Sequence, residues 1–148
     1  MRIVDLNGKW TLHQAGRKTL CPATVPGCVH TDLLAAGRIE NPFYRDNEAA
    51  LQWIGRTDWI YSRTFDARDL PDFPRVRLVC DWLDTFATVT LNGIEVGRAD
   101  NMYRTWEFDV KTALRTGRNT IAIRFAAPES YLEKRSQTRK LPGWTAPH

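Results

Sequence analysis

Residues that carry chemistry are scarce in this chain of 148 residues, which has three cysteines and three histidines. Cys21, Cys28 and Cys80 are odd in number and none follows a CxxC spacing, which argues against a disulfide framework or a structural zinc site. Cys80, within RVRLVCDWL, reads as a small apolar core residue. Cys21 and Cys28 meet only if CPATVPGC loops back, which Pro22, Pro26 and Gly27 do not enforce, so free thiols are expected. No GxSxG elbow, HExxH, P-loop or dinucleotide glycine pattern occurs, and no cofactor is called for. His30 has only Cys28 as a nearby nucleophile, and a Cys-His pair two apart on a loop reads as structural. No run approaches the apolar length of a membrane-spanning helix. MRIVDLNGKW enters a strand pattern without an apolar signal core, so a cytoplasmic setting is expected.

Charge of one sign is not concentrated either. Lys and Arg number 21 against 17 Asp and Glu, a net +4. The one modest basic cluster is EKRSQTRK, Glu133 to Lys140. Nucleic-acid binding needs its cations gathered on one face, so neither nucleic acid nor membrane is expected as a partner. Hydrophobic residues at 43% and charged residues at 26% fit a globular domain, and the length fits one with its own core.

What is present is strand pattern. Trp10 and Leu12 alternate in KWTLH, and Trp59, Tyr61 and Phe65 share one parity in DWIYSRTF. RVRLVCDWL places Val76, Leu78, Cys80 and Trp82 on one face, and FATVTLNG places Ala87, Val89 and Leu91 on one face. TWEFDV and NTIAIRF alternate in the same way. Asn92-Gly93 marks a tight hairpin, because both residues accept positive φ. One short helix is expected in VHTDLLAAG, with Val29, Leu33 and Ala36 on a stripe and Gly37 as its stop; ALQWI adds a single turn. Many short strands with little helix predict an all-β antiparallel sandwich over residues 1–127. Residues 128–148 are polar, carry no apolar period and read as a linker.

One segment fits neither period. NPFYRDNEAALQWIGRTDW, Asn41 to Trp59, holds Phe43, Tyr44, Trp53 and Trp59 among charges. Such rings stack on the C–H faces of sugars or anchor a loop against another domain, and docking is the simpler reading. Glycoside cleavage requires two carboxyl groups facing each other across a sugar, and no matched pair is marked here.

The blocks LNGKW, ATVPGCVHTDLLAAGRIENPFYRDNE, LQWIGRTDWIYSRTF, LDTFATVTLNGIEVG, NMYRTWEFDV and GRNTIAIRF follow one another along the chain. Together they resemble the N-terminal sugar-binding domain of β-mannosidases in glycoside hydrolase family 2. The resemblance implies a galactose-binding-like jelly roll packed on a (β/α)8 barrel. That barrel holds both catalytic glutamates and hydrolyses terminal, non-reducing β-D-mannose with retention. On this basis the chain itself has no catalytic residue, and Asn41 to Trp59 clamps the sandwich to the barrel and approaches the sugar pocket. Phe43, Tyr44, Asn47, Glu48, Trp53, Trp59 and Trp144 are then the substrate or interface candidates. Asn47-Glu48 matches the Asn-Glu dipeptide of the barrel's acid/base but precedes a sandwich strand, so it is not assigned catalysis. The family's Gly-Trp-Asp-Trp motif after Arg-Lys matches Gly143-Trp144 after Arg139-Lys140, with Thr145 and Ala146 replacing Asp and Trp. Other readings are a free-standing carbohydrate-binding module, the same domain of a β-galactosidase, β-glucuronidase or exo-glucosaminidase relative, and a domain that homodimerises through its exposed rings.

Overall fold

The computed structural model describes residues 2–138. Eight strands build two antiparallel sheets: β1 (Gly8–Gln14), β2 (Cys21–Val25), β3 (Trp59–Asp66), β4 (Arg77–Cys80), β5 (Ala87–Leu91), β6 (Ile94–Ala99), β7 (Trp106–Asp109) and β8 (Arg118–Phe125). The main sheet has the order β2-β1-β3-β8-β5-β6, and β4 pairs with β7 in the second layer. Helix α1 (Val29–Ala35) follows β2, and α2 (Asn47–Leu51) precedes a 3-10 turn over Gln52–Ile54. Helix α3 (Pro128–Thr138) follows β8.

Alternation decides which side chains enter the core. Leu12, Tyr61, Val89, Leu91, Ile121 and Ile123 project from the main sheet and are buried. Cys80 and Phe108 meet them from the second sheet, while Leu33 of α1 and Ile54 of the 3-10 turn complete the same cluster. The second layer is therefore part sheet and part helix and loop. Asn92 (φ 53) and Gly93 (φ 81) form the expected two-residue hairpin. Asn92 Nδ2 donates to Asn119 Oδ1 (2.7 Å) and to the Ala113 carbonyl (2.8 Å). Buried Asn119 donates in turn to the carbonyls of Arg115 (2.7 Å) and Gly117 (2.8 Å). This network stitches the hairpin to the turn before β8.

Strand β2 is an element that the alternation of apolar residues in the sequence did not mark. It forms because it lies at the sheet edge, where Pro22 lacks only a donor that no neighbour requires. The next outward N–H, of Thr24, donates to Asp32 Oδ1 of α1 at 3.0 Å. The other carboxylate oxygen, Oδ2, accepts the Tyr61 hydroxyl at 2.7 Å. Asp32 and Tyr61 are both buried, and burial together with this carboxylate pushes the Tyr61 hydroxyl pKa far up. Gly37 (φ 64) stops α1 as expected, with its N–H on the Leu34 carbonyl at 3.0 Å.

One expectation is corrected. Trp82 does not continue the inward face of β4: the strand ends at Cys80, and Trp82 adopts φ 55 with 76% of its surface exposed. The start of the polar tail is helical over Pro128–Thr138, with Pro in the first position and residues of high helix propensity after it. Cys21 and Cys28 are free thiols, the first buried and the second exposed.

Tyr61→Phe leaves one oxygen of the buried Asp32 carboxylate unpaired and should cost about 1–3 kcal/mol in urea unfolding. Gly97→Ala drives a methyl into the Phe108 ring and should cost a similar ~1–3 kcal/mol, with Phe108 resonances displaced in NMR spectra.

Candidate functional site at one end of the sandwich

Register places the candidates. Gln14, Trp59, Phe125, Ala87 and Ala99 are successive partners across the main sheet, and Cys80 partners Trp106 in the second. The segments adjoining them therefore emerge from one end of the sandwich. Besides the connection 15–20 between β1 and β2, these are the excursion 41–58, the connection 81–86, the connection 100–105 and α3. The most exposed aromatic rings of the described residues lie on these segments: Phe43 at 98%, Tyr103 at 87% and Trp82 at 76%. Tyr44 and Trp53 are also exposed here.

The excursion is held in shape by its own polar groups. Asn41 Oδ1 accepts the Phe43 N–H at 3.0 Å, and the Asn41 carbonyl accepts the Tyr44 N–H (3.1 Å) and Asn47 Nδ2 (2.9 Å). The Arg45 guanidinium lies 5.1 Å from the centre of the Tyr44 ring. Phe43 and Tyr44 are thus presented outward on a fixed loop. Asn47 and Glu48 open α2, with Glu48 exposed and its carbonyl accepting Gln52 Nε2 at 3.1 Å. Trp59 is placed otherwise: it is buried in the core, and its Nε1–H donates to the Ile54 carbonyl at 3.0 Å. Trp53 lies over it with ring centres 5.9 Å apart, so the two rings anchor the excursion. Trp144 lies outside the described residues.

Asp58 joins this excursion to α3. Its Oδ2 accepts Arg124 Nη2 at 2.7 Å and its Oδ1 accepts the Ala127 N–H at 2.8 Å. Burial raises the Asp58 pKa, but the Ala127 N–H and the Arg124 guanidinium outweigh it and hold the carboxyl below its ordinary range. Helix α3 is held on two flanks as well. Glu129 Oε2 accepts Arg56 Nε at 2.6 Å, and Tyr131 meets Phe86 with ring centres 4.2 Å apart.

A second pair of rings escaped the sequence reading. Tyr103 sits on a turn in which Asn101 Oδ1 accepts its N–H at 2.8 Å, the same device as Asn41 with Phe43. The Asn101 carbonyl accepts Trp106 Nε1–H at 2.9 Å, and Arg104 lies 4.3 Å from the Trp106 ring centre. Thr105 Oγ1 donates to Asp81 Oδ1 at 2.6 Å, tying this loop to the one that carries Trp82. The shared signal was an Asn two residues before an aromatic, present at Asn41 and at Asn101.

An antiparallel sandwich whose loops display rings at one end is an architecture for binding or docking. The chain belongs to the glycosyl hydrolase 2 galactose-binding domain-like family, which it matches over residues 10–148. It is 36% identical over 146 residues to the β-mannosidase of Bos taurus, covering 98% of this chain and 16% of that protein. The crystal structure of the β-D-mannosidase from Dictyoglomus thermophilum is similar at 37% identity with a TM-score of 0.90, over 95% of this chain and 18% of that one. An exo-chitosanase from Amycolatopsis orientalis shares the fold at a TM-score of 0.71 and 18% identity, over 80% of this chain and 16% of that one. The chain thus spans about one sixth of the relatives it matches.

Asp58 is depressed in the fold, so its contribution is present above the ordinary carboxylate pKa, about 3.9, and is lost as pH falls through its lower folded value. Acidification through that window should release the start of α3, read as rising hydrogen exchange at the Ala127 amide. Asp58→Asn should produce that release at neutral pH. Unchanged exchange in the variant would show that Asp58 does not hold the helix.

Proposed function

We propose that this chain is the non-catalytic N-terminal sandwich of a β-mannosidase-like retaining exo-glycosidase. In this reading it supports a catalytic barrel and borders the pocket for a terminal β-D-mannose residue. The observation that carries the reading is the shared end: excursion 41–58 shows Phe43, Tyr44 and Trp53 beside α3, which Asp58 and Glu129 fasten to that excursion. A surface so built meets the neighbour to which α3 leads. Each ring fully buried there contributes about 1.5–3 kcal/mol to docking. The similarity to β-mannosidases at 36–37% identity supports the choice of sugar.

Under this reading the excursion separates into two roles. Trp53 and Trp59 anchor it, while Phe43 and Tyr44 make the outward contact. Asn47 and Glu48 lie within the contact region and Glu48 is not a catalytic acid. Without its neighbour, the same surface pairs two copies of the chain.

The test is domain replacement. A protein in which this chain substitutes for the matching stretch of the Dictyoglomus thermophilum β-D-mannosidase should hydrolyse an aryl β-mannoside, and the chain alone should not. Phe43→Ala with Tyr44→Ala should lower the thermal stability of the hybrid while leaving that of the isolated chain, measured at a concentration at which it is monomeric, unchanged. A folded hybrid with no turnover, or turnover by the isolated chain abolished by Glu48→Gln, would overturn the assignment.

A further inference from the structure

We propose that a cleft in the main sheet, where β1 and β3 part, binds a phosphate group, as the free ion or carried on a small sugar. The site lies away from the loop end and does not depend on the reading above.

Sheet register locates it. The ladder between β1 and β3 runs from Gln14↔Trp59 only as far as Thr11↔Ser62. Both strands continue past that point, β1 back to Gly8 and β3 on to Asp66. Each keeps its other neighbour there: β1 stays paired with β2 to Gly8, and β3 with β8 to Asp66. The sheet thus divides into two ribbons, and an open cleft of about 400 Å³ lies where they separate. That volume falls within the range of small-molecule sites. Thr64, on its border, lies about 17 Å along β3 from Trp59 and so well away from the displayed rings.

The lining is positive. Lys9, Arg63, Thr11, Ser62, Thr64 and Thr120 border the cleft, and no acidic residue among the described ones does. Arg63 is the one arginine among the described residues that is not exposed. Neither it nor Lys9 pairs with a carboxylate there, whereas exposed arginines such as Arg68 and Arg124 do. A half-buried guanidinium without a counter-charge is costly, and an anion would offset that cost. Arg63 Nη1 donates to the carbonyls of Leu6 (2.6 Å) and Asn7 (2.5 Å), which ties β3 to the segment before β1. Its Nε and Nη2 donors have no acceptor among the described residues.

The hydroxyls add donors. Thr11 Oγ1 donates to the Ser62 carbonyl at 3.1 Å and lies 2.8 Å from Ser62 Oγ. The Oγ1 atoms of Thr64 and Thr120 are 3.5 Å apart. The Ser62 proton and one proton of the Thr64–Thr120 pair are therefore free to turn to a ligand. Two cations and spare hydroxyl protons, with no acid and with Trp10 buried, suit an oxyanion and not a neutral sugar. Phosphate carries between one and two negative charges at neutral pH and offers oxygens to a guanidinium and an ammonium together.

The experiment titrates the isotopically labelled chain with sodium phosphate at constant ionic strength and follows amide NMR signals. Saturable shifts that fit one dissociation constant are expected at residues 9–11, 62–64 and 120, with sodium acetate binding more weakly. Lys9→Ala and Arg63→Gln should each weaken binding about tenfold, the order of one charge-assisted hydrogen bond. Because Arg63 also holds the segment before β1, Lys9→Ala and Thr64→Val, which leave that latch intact, test the site without it. Arg115→Ala, at an exposed position outside the cleft, should change nothing.

Glucose 6-phosphate and glucose separate the two sources. Tighter binding of the sugar phosphate than of phosphate, with glucose silent, assigns a phosphorylated sugar; equal or weaker binding assigns the free ion. No saturable shift by about 10 mM phosphate overturns the site. So do undiminished shifts in both Lys9→Ala and Thr64→Val, or shifts spread over the exposed lysines and arginines, which mark general screening of the net charge.

Discussion

A carboxylate has almost no solvent contact beside β2, and the layout of the molecule follows from how it is satisfied. Asp32 takes the Thr24 N–H on one oxygen and the Tyr61 hydroxyl on the other. An unpaired carboxylate in that position would be costly, so α1 is confined to the one placement that supplies both donors. That placement covers the free edge of β2, where Pro22 already removes one donor. It also puts Leu33 into the core. From α1 the chain is carried towards the opposite end of the sheet, where residues 41–58 lead into β3. One buried acid thus helps determine where the aromatic excursion can lie.

The excursion and the loops around it follow a different rule from the core. In the core, rings and aliphatic groups are selected by the alternation of strands, and each loses its water. At the loop end, polar groups hold the backbone while the rings remain wet. Asn41 and Asn101 each use a side-chain carbonyl to hold the N–H of an aromatic two residues on, and in both loops an arginine lies over a nearby second ring. Order is obtained locally, with no apolar burial of the outermost ring. Surfaces organised in this way meet a partner with little rearrangement.

The strands whose alternation is uninterrupted were legible in the sequence. Trp59 and Tyr61, Ala87 to Leu91, and Ile121 to Ile123 stand as the period-two pattern requires, and the Asn92-Gly93 hairpin has the positive φ values its residues favour. Strand β2 was hidden because its proline is tolerable only at an edge, and an edge is a property of the assembled sheet. Trp82 was misread for a related reason: its side follows from one backbone angle that no pattern of apolar residues records. Helix α3 has no apolar stripe because it is held by an ion pair, one ring contact and a capped amide, so periodicity had nothing to detect. Within the candidate site, the excursion was found by its unusual ring content, but the division between buried Trp59 and exposed Phe43 needed three-dimensional structure.

The two ends of the sandwich are unlike, and this polarity has a practical consequence. The side-chain amides of Asn92 and Asn119 are both engaged within the fold, and the adjoining hairpin carries none of the displayed rings. A label, a surface tether or a fused protein attached at Gly93 would leave the aromatic end facing outward. Domains immobilised by that hairpin would stand in a common orientation, each offering its loops to whatever flows past.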